Sequence, residues 1–271
     1  MRWNKNTKIA IASLAFLLLE SRFGWAQLAA PNTAGVSIGH AHLVVPDSAR
    51  QIAIWESLGG ELVATGEVAT LKFPGVYLLL SNGEARLPSP QTTANHIGFS
   101  VRDYTEYKAK LLDAGASLFF DSEENGQILA DLPDGIRVEI LTDANQSEPI
   151  VFHHMHVAAH DGAALRDWYM RVFGAEAGER RGLPSALVPG GRVDILGING
   201  PEPQGSHSGV LDHIGFEVAD MAAFADHLKE QGLTFEVEPM RIEGLDLTIA
   251  FLTDPAGTYI EVTDGLASVE P

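Results

Sequence analysis

The hydrophobic and polar positions of the chain follow one short pattern four times. Each time, a strand of alternating apolar residues ends at an aspartate, and a helical stretch of roughly 10 to 12 residues then runs to a glycine. Aspartate caps the free amides of a helix N-terminus, and glycine suits a left-handed C-terminus. These residues are Asp47, Asp103, Asp161 and Asp220, followed by Gly59, Gly115, Gly174 and Gly232. Since β-like segments with turn signals come next, each unit is predicted to contain one strand, one helix and about three strands.

The four units form two similar halves. Residues 95–115 (NHIGFSVRDYTEYKAKLLDAG) align without a gap with residues 212–232 (DHIGFEVADMAAFADHLKEQG), and residues 38–47 match residues 152–161 more weakly. We therefore number four modules, of which modules 3 and 4 repeat modules 1 and 2. The polar stretch 144–149 ends in proline and predicts a linker. We expect one domain over residues 35–143 (modules 1 and 2) and another over residues 150–265 (modules 3 and 4).

The N-terminus has the pattern of a secretory signal peptide. A basic start precedes the uncharged, largely apolar run 9–19, and small residues at Gly24 and Ala26 suit cleavage before Gln27. As a helix the apolar run is about 16 Å long, well short of the roughly 30 Å core of a bilayer. We therefore predict that residues 1–26 are removed, that the mature protein is periplasmic or secreted, and that it has no stable membrane insertion.

Composition narrows the partners and the chemistry. The chain has 271 residues, of which 45% are hydrophobic and 20% are charged, as expected for a globular protein. It contains no cysteine, which excludes disulfides and thiolate catalysis. Loss of residues 1–26 removes four basic residues and one acidic residue, so the formal net charge falls from −18 to −21. Such a negative protein is not expected to bind nucleic acid. We separately expect a small-molecule substrate, and we allow for a homodimer.

A recurring set of histidines and glutamates carries the candidate chemistry. The opening strands contain His40, His96, His154 and His213, and the last strands of modules 2 and 4 contain Glu139 and Glu261. A single strand histidine is commonly structural, and a strand glutamate can face solvent at a sheet edge. A buried carboxylate, however, is costly unless it is paired or bound to metal. Because the same residue types recur in both halves, we predict a divalent metal ion, either iron, manganese or zinc, with open coordination positions.

These motifs resemble the vicinal oxygen chelate superfamily, which includes glyoxalase I, extradiol dioxygenases and bleomycin-binding proteins. The resemblance covers about residues 35 to 265 and is strongest in NHIGFSV, DHIGFEV, LPDGIRVEILTD and LTDPAGTYIEVTDG. It implies an α+β fold in which four βαβββ modules pair into two cup-shaped mixed sheets, each around a metal. It also implies two sets of metal ligands. One set is His40, His96 and Glu139. The other set is His154, His213 and Glu261, which we expect to be the better metal site.

Four further residues are predicted to line the pockets. His42 and His156 share a strand face with the ligands two residues earlier, because alternate residues of a strand point the same way. Asp194 is a candidate fourth metal ligand, provided that its strand register turns the side chain toward the pocket, because a slip by one residue would turn it to the other face. Tyr77 is the candidate pocket residue in the related strand of module 1. Outside this group, Arg180 and Arg181 either steer an anionic substrate or form an exposed loop pair.

The resemblance implies an exported metal-dependent lyase or dioxygenase that activates a small organic substrate through two vicinal oxygens. Phe251 stands where extradiol dioxygenases carry a tyrosine, which weighs against ring cleavage. The main alternative is a metal-free small-molecule-binding protein of the bleomycin-resistance type. A third possibility is that one half is catalytic and the other half is a structural remnant.

Overall fold

The computed structural model describes residues 28–84 and 86–268. The predicted signal peptide, residues 1–26, lies outside the described residues. Each module contains one strand, one helix and three strands, as predicted. Module 1 comprises β1 (Val36–Val45), α1 (Ser48–Ser57), β2 (Glu61–Ala64), β3 (Val68–Phe73) and β4 (Val76–Asn82). Module 2 comprises β5 (Ala94–Val101), α2 (Tyr104–Asp113), β6 (Ser117–Ser122), β7 (Gln127–Leu132) and β8 (Ile136–Thr142).

The second half repeats this order. Module 3 comprises β9 (Ile150–Ala159), α3 (Gly162–Phe173), β10 (Glu176–Arg180), β11 (Leu183–Val188) and β12 (Gly191–Gly197). Module 4 comprises β13 (Leu211–Val218), α4 (Met221–Glu230), β14 (Val237–Arg241), β15 (Thr248–Thr253) and β16 (Tyr259–Asp264). Single 3-10 turns lie at Ser89–Gln91, Pro133–Gly135, Ser206–Ser208 and Leu266–Ser268. None of the described helices is long and apolar enough to span a bilayer.

The predicted helix ends are confirmed. The side chain of each N-cap aspartate accepts a hydrogen bond from a backbone amide in the first turn; these residues are Asp47, Asp103, Asp161 and Asp220. Such a bond satisfies one of the amides that a helix N-terminus leaves without a partner. Each helix therefore begins at a fixed distance from the strand before it, and the four strand-to-helix junctions are alike.

The strands form two eight-stranded mixed sheets, which confirms the predicted α+β class and its four modules in two cups. The first sheet has the order β14-β15-β16-β13-β1-β4-β3-β2 and combines modules 1 and 4; we name it the terminal cup. The second has the order β10-β11-β12-β9-β5-β8-β7-β6 and combines modules 2 and 3; we name it the central cup. Both cups are completed within one chain.

This pairing corrects the expectation that each half of the chain, residues 35–143 or 150–265, closes a cup of its own. Instead β1 pairs antiparallel with β13, and β5 pairs antiparallel with β9. Modules 2 and 4 are close copies, so they offer module 1 nearly the same strand edge for backbone hydrogen bonds. The predicted linker 144–149 does lie in the connection between β8 and β9.

The two halves are nevertheless units of side-chain packing. In the first half, Trp55 of α1 packs against Phe99 of β5, with ring centroids 6.1 Å apart, and Phe73 lies 4.9 Å from Phe99. In the second half, Phe173 of α3 stacks on Phe216 of β13 at 4.1 Å. Buried aromatic pairs add about 0.5 to 1.5 kcal/mol each beyond their apolar burial. Aromatic cores therefore join consecutive modules, whereas backbone hydrogen bonds join modules of opposite halves.

A buried hydrogen bond connects the two cups in the second half. The hydroxyl of Tyr169 in α3 donates to Asp254 Oδ2 at 2.8 Å, in the turn after β15. The other oxygen of Asp254 accepts from the amides of Ala256 and Thr258. Tyr169 is fully buried and Asp254 nearly so, so no water replaces this bond if it is lost. The turn that leads into β16 is thus anchored to a helix of the other cup.

We expect Tyr169→Phe to lower the free energy of unfolding by about 1 to 3 kcal/mol, because it leaves a buried carboxylate oxygen without its donor. The measurement is chemical denaturation followed by circular dichroism. Tyr104→Phe is the matched control, since the hydroxyl of Tyr104 bonds to the partly exposed Asp121 and water can replace it. Equal losses in the two variants would contradict the anchoring role of Tyr169.

Candidate metal centres

The six predicted ligands lie in two buried clusters, grouped differently from the expectation. His40, His213 and Glu261 meet in the terminal cup, and His96, Glu139 and His154 meet with His156 in the central cup. The predicted sets His40, His96, Glu139 and His154, His213, Glu261 are therefore corrected. Each set exchanges one histidine for the other, because each cup takes its opening strands from both halves. In both clusters, one ligand atom from each residue lies within 4.8 Å of the others.

The strand register explains why these side chains converge. Each ligand histidine stands seven residues before the N-cap aspartate of its module, so all four occupy one position of the repeat. In the terminal cup, β1 pairs with β13 so that His42 faces His213 and His40 faces Gly215, and Gly215 also faces Glu261 of β16. The central cup repeats this arrangement. Two histidines from antiparallel strands and one glutamate from the next strand thus point into each cup.

Two glycines make room for the histidines. A Cβ atom at Gly215 would collide with the imidazole ring of His40, and a Cβ atom at Gly98 would collide with the ring of His154. Each glycine lies between a ligand histidine on one neighbouring strand and the ligand glutamate on the other. The glycine in each HIGF motif is therefore needed for close approach of a ligand ring rather than for a turn.

In the terminal cup, two imidazoles converge on one carboxylate oxygen. Glu261 Oε2 lies 2.9 Å from His40 Nε2 and 2.8 Å from His213 Nε2. The other nitrogen of His213 lies 2.7 Å from Asp212 Oδ1. Asp212 itself pairs with Arg86, and the side chain of Glu261 is almost fully buried with the rings. The ring of His213 is thus held between two carboxylates with its Nε2 atom directed at Glu261.

The contacts of this cluster shift the pKa values of its members in different directions. Burial alone would lower the pKa of His213, but hydrogen bonds to Asp212 and Glu261 raise it to about 9. Burial lowers the pKa of His40 despite its contact with Glu261. Burial would also raise the pKa of Glu261, yet the two histidines hold it below its usual range. The surroundings of the buried Glu261 carboxylate therefore favour a positive charge beside it.

The terminal cluster fits a divalent ion. A metal ion takes the place of imidazole protons, because it binds the deprotonated nitrogen. Ligands about 2.0 to 2.1 Å from a tetrahedral zinc ion lie roughly 3.3 Å apart. The two histidine Nε2 atoms lie 2.9 and 2.8 Å from Glu261 Oε2, so a small outward shift of the side chains makes room for an ion. In the described part of the chain, no lysine or arginine hydrogen-bonds to His40, His213 or Glu261. Asp212 acts as the outer carboxylate that orients a metal-bound histidine.

An aromatic wall borders the terminal cluster. Phe251 faces Glu261 across the β15–β16 pair, and its ring stacks on Tyr259 at 4.9 Å. The edge of the His213 ring lies against Phe251 at 5.5 Å and against Tyr259 at 6.0 Å. On the other side His42 lies 4.7 Å from His213, and its Nε2 atom hydrogen-bonds to Ser81. This cup therefore combines a ligand set with a flat, mostly apolar surface.

The central cup has the same ligands but a different centre. Glu139 Oε2 lies 2.9 Å from His154 Nε2 and 3.2 Å from His96 Nε2. The guanidinium of Arg180 enters from the end of β10, and its Nη2 atom lies 3.0 Å from Glu139 Oε2, 2.9 Å from His156 Nε2 and 3.4 Å from His154 Nε2. Because Arg180 already contacts these three donor atoms, the set does not fit a metal ion in this arrangement.

Sequence reasoning did not identify Arg180 as part of this cluster. The sequence shows two adjacent arginines at a hairpin turn, which is also the pattern of an exposed loop pair. Strand alternation was the available signal: Arg180 precedes the turn and pairs with Leu183, so its side chain points to one definite face. Which face of β10 is buried depends on how the strand packs against the rest of the protein. The sequence around Arg180 does not show this packing.

The four predicted pocket residues have different environments. His42 and His156 lie in the cups beside His213 and His96. Asp194 is fully buried, pairs with His156 in the strand register and accepts from Arg180 Nε at 2.5 Å. The corresponding position of the terminal cup is Leu79, which pairs with His42, and not Tyr77, which pairs with His40. The terminal cup thus has an apolar side chain where the central cup has its second carboxylate.

The fold consists of two cups, each with a cluster of histidines and a glutamate. Comparisons with known proteins agree with this class of fold. Residues 151–262 match the Glyoxalase/Bleomycin resistance protein/Dioxygenase superfamily. No curated protein sequence matches the chain. The predicted resemblance to the vicinal oxygen chelate superfamily is confirmed. The matching segment comprises modules 3 and 4, which lie in different cups.

Solved structures show the same fold at low sequence identity. Glyoxalase I from Zea mays is 17% identical, with a TM-score of 0.66 over 86% of this chain and 94% of that chain. A "putative dioxygenase" from Bacillus subtilis subsp. subtilis str. 168 is 13% identical, with a TM-score of 0.64 over 88% of this chain and 86% of that chain. At such identities the likeness defines the fold and leaves the reaction open.

We expect Gly215→Ala to displace the His40 ring and to lower the stability of the protein by about 1 to 3 kcal/mol, the usual cost of overpacking. The measurements are thermal melting and titration with Zn²⁺ or Mn²⁺, in which the variant should bind the metal more weakly. Gly200→Ala is the control, since a Cβ atom there meets nothing within 4 Å. An unchanged metal affinity in Gly215→Ala would contradict the role assigned to His40.

Proposed function

We propose that the protein is an exported, metal-dependent enzyme of the lyase or dioxygenase type, with its reaction centre in the terminal cup. The observation that carries the proposal is the convergence of His40, His213 and Glu261 on one point, with donor atoms 2.8 and 2.9 Å apart. With their Nε2 atoms deprotonated, two imidazoles and one carboxylate leave coordination positions open to a substrate. The match of residues 151–262 to the Glyoxalase/Bleomycin resistance protein/Dioxygenase superfamily supports the same class of chemistry.

The roles of the side chains follow from their contacts. When bound, a divalent ion supplies Lewis-acid polarisation of two neighbouring substrate oxygens, with redox chemistry added if the ion is iron. Asp212 holds the Nδ1 proton of His213 and so directs the Nε2 atom into the cup. Glu261 supplies the negative charge of the ligand set. His42, held by Ser81, stands beside His213 and lines the cup as a hydrogen-bonding side chain.

The walls indicate the kind of substrate. The stacked pair Phe251 and Tyr259 and the side chain of Leu79 present flat or apolar surfaces next to the ligand atoms. A planar organic molecule with two adjacent oxygens can chelate the ion while its body lies on this surface. Phe251 provides no proton donor, in keeping with a reaction that does not need a tyrosine at that position.

We expect Glu261→Gln to remove the bound metal from the mature protein, because the amide keeps the volume of the side chain and loses the ligand charge. The measurement is elemental analysis after incubation with iron, manganese or zinc and removal of free ion. Glu230→Gln, an exposed change on α4, is the control with the same loss of charge. Full metal content in Glu261→Gln would overturn the assignment. A wild-type protein that takes up none of the three ions would instead favour metal-free ligand binding.

Export is part of the proposal and rests on the sequence of residues 1–26. When the full chain is produced in a bacterium with a periplasm, we expect the mature protein in the periplasmic fraction with an N-terminus at Gln27. Intact mass spectrometry and N-terminal sequencing measure this directly. A full-length chain confined to the cytosol would contradict export without bearing on the metal site.

A further inference from the structure

The two cups carry the same three ligand types but differ in their source of positive charge. We propose that the central cup is a metal-free binding site for a small organic anion with an apolar body, in which the guanidinium of Arg180 takes the place of the divalent ion. This assignment does not depend on whether the terminal cup binds metal. It gives the two cups different tasks: the terminal cup is proposed to carry out chemistry, and the central cup is proposed to recognise a ligand.

The contacts of Arg180 are those of a built-in cation. Its Nη2 atom lies within 3.4 Å of Glu139 Oε2, His154 Nε2 and His156 Nε2, and its Nε atom donates to Asp194 Oδ2 at 2.5 Å. One guanidinium thus serves two buried carboxylates and two imidazoles. Its Nη1 atom makes only a long contact of 3.5 Å, to Glu139 Oε1. A planar guanidinium has five N–H donors, so Nη1 retains donor capacity for a ligand.

The terminal cup has no equivalent of this residue. Its corresponding hairpin, residues 61–73, reads ELVATGEVATLKF and contains no arginine. Its buried Glu261 contacts the imidazoles of His40 and His213, whose Nε2 atoms a metal ion can bind in their deprotonated form. In the central cup a metal ion would have to displace a guanidinium tied to Glu139 and to Asp194. Displacement of the guanidinium would leave Arg180 and Asp194 without the contacts that they make in this structure.

An open cleft leads from the surface to Arg180. It has a volume of about 410 Å³, within the range of small-ligand sites. Three arginines line it, Arg180 at its floor with Arg137 and Arg181, while its apolar wall includes Leu129, Leu183 and Leu196. Arg180 is paired with Glu139 and Asp194, and Arg137 is paired with Asp131, so the guanidinium of Arg181 at the rim is the charge of this cleft that a ligand can use. The lining therefore suits a carboxylate or a similar anion attached to an apolar body.

Arg181 is the arginine most available to a ligand. In the described part of the chain no carboxylate lies within ion-pair distance of it, whereas Arg137 is paired with Asp131 at 2.7 Å. Arg181 donates instead to the neutral Oε1 atom of Gln127, whose Nε2 atom donates to Glu139 Oε1 at 2.5 Å. This chain of hydrogen bonds ties the rim of the cleft to its floor.

The backbone holds Arg181 in an unusual conformation. Its φ angle is +50°, and that of the next residue, Gly182, is +81°, so both lie in the left-handed region. Such a pair forms the tight turn between β10 and β11, at a position where asparagine or glycine is usual. Residues with long side chains rarely adopt this conformation. The turn holds the Arg181 side chain at the lining of the cleft.

The metal content of matched variants tests the first part of the proposal. After saturation with Zn²⁺ or Mn²⁺ and desalting, we expect one equivalent in the wild type, one in Glu139→Gln and none in Glu261→Gln. Two equivalents in the wild type, falling to one in Glu139→Gln, would overturn the metal-free assignment of the central cup. No metal in any variant would refute the proposed function of the terminal cup and agree with a metal-free central cup.

Removal of the guanidinium is the converse test. Arg180→Met leaves Glu139, Asp194 and the histidines without their cation, and we expect it to gain one equivalent of metal over the wild type. If this variant binds no additional metal although it is folded, Arg180 is not what keeps metal out of the central cup, and the proposal is wrong on that point. If it does not fold, Glu139→Gln and the ligand titration below remain decisive.

Ligand binding tests the second part, with 4-fluorobenzoate as an anionic probe and 4-fluorobenzamide as its neutral counterpart. Fluorine NMR titration is performed on Glu261→Gln, so that chelation in the terminal cup does not contribute. We expect saturable binding of the benzoate, at least about fivefold tighter than the amide, since a hydrogen bond between a guanidinium and a carboxylate is stronger than one to a neutral amide. Equal affinity for the two probes, or no binding of either, would overturn the anion site.

The location of the probe is tested by charge-matched arginine variants in the same background. Arg181→Gln should weaken benzoate binding about fivefold or more. Arg166→Gln, on α3 and paired with Asp167, should leave it unchanged. Equal weakening in both variants would indicate a general charge effect and contradict a site at Arg181, as would full affinity in Arg181→Gln.

Discussion

The antiparallel pairing of strands from opposite halves is the constraint on which the rest of the molecule depends. β1 with β13 and β5 with β9 form the middle of the two sheets, and every candidate ligand histidine lies on one of these four strands. The register places Gly215 against His40 and Gly98 against His154, which brings the rings next to the glutamates. Neither half alone contains a complete ligand set. A half in isolation would also expose the unpaired edges of its two opening strands, a structure prone to aggregation.

Burial of a carboxylate in each cup sets the electrostatic problem that the two cups solve differently. Glu261 and Glu139 are both almost fully buried, and a charge in such a place needs a partner. The terminal cup places the imidazoles of His40 and His213 beside Glu261, and a metal ion can bind their Nε2 atoms in the deprotonated form. The central cup meets it with Arg180, which belongs to the chain and does not dissociate. Duplication of one scaffold has thus produced two clusters with the same donor atoms and different chemical properties.

Much of the fold could be predicted from residues that act over short distances. Asp103 caps its helix because its side chain reaches an amide three residues away, and Asp220 does the same in the repeat. The ligand histidines were recognisable because they recur at one position of the module. The terminal-cup residue that corresponds to Asp194 was predicted wrongly. Tyr77 was considered for this position, but the strand register places Leu79 there. A strand of apolar residues gives no internal sign of its register.

The sequence by itself determined the four modules, their helix ends, the α+β class and the six histidines and glutamates that lie in the two clusters, because each depends on local periodicity or on a repeated motif. Only the tertiary structure decided which modules share a sheet, and with that which histidines share a cup and that Arg180 stands among them. The physical reason is that backbone hydrogen bonds are nearly the same for any pair of strand edges. Nothing local distinguishes module 2 from module 4 as the partner of module 1. The side-chain contacts of Trp55 with Phe99 and of Phe173 with Phe216 join consecutive modules, so the pairing of the strands is visible only in the complete structure.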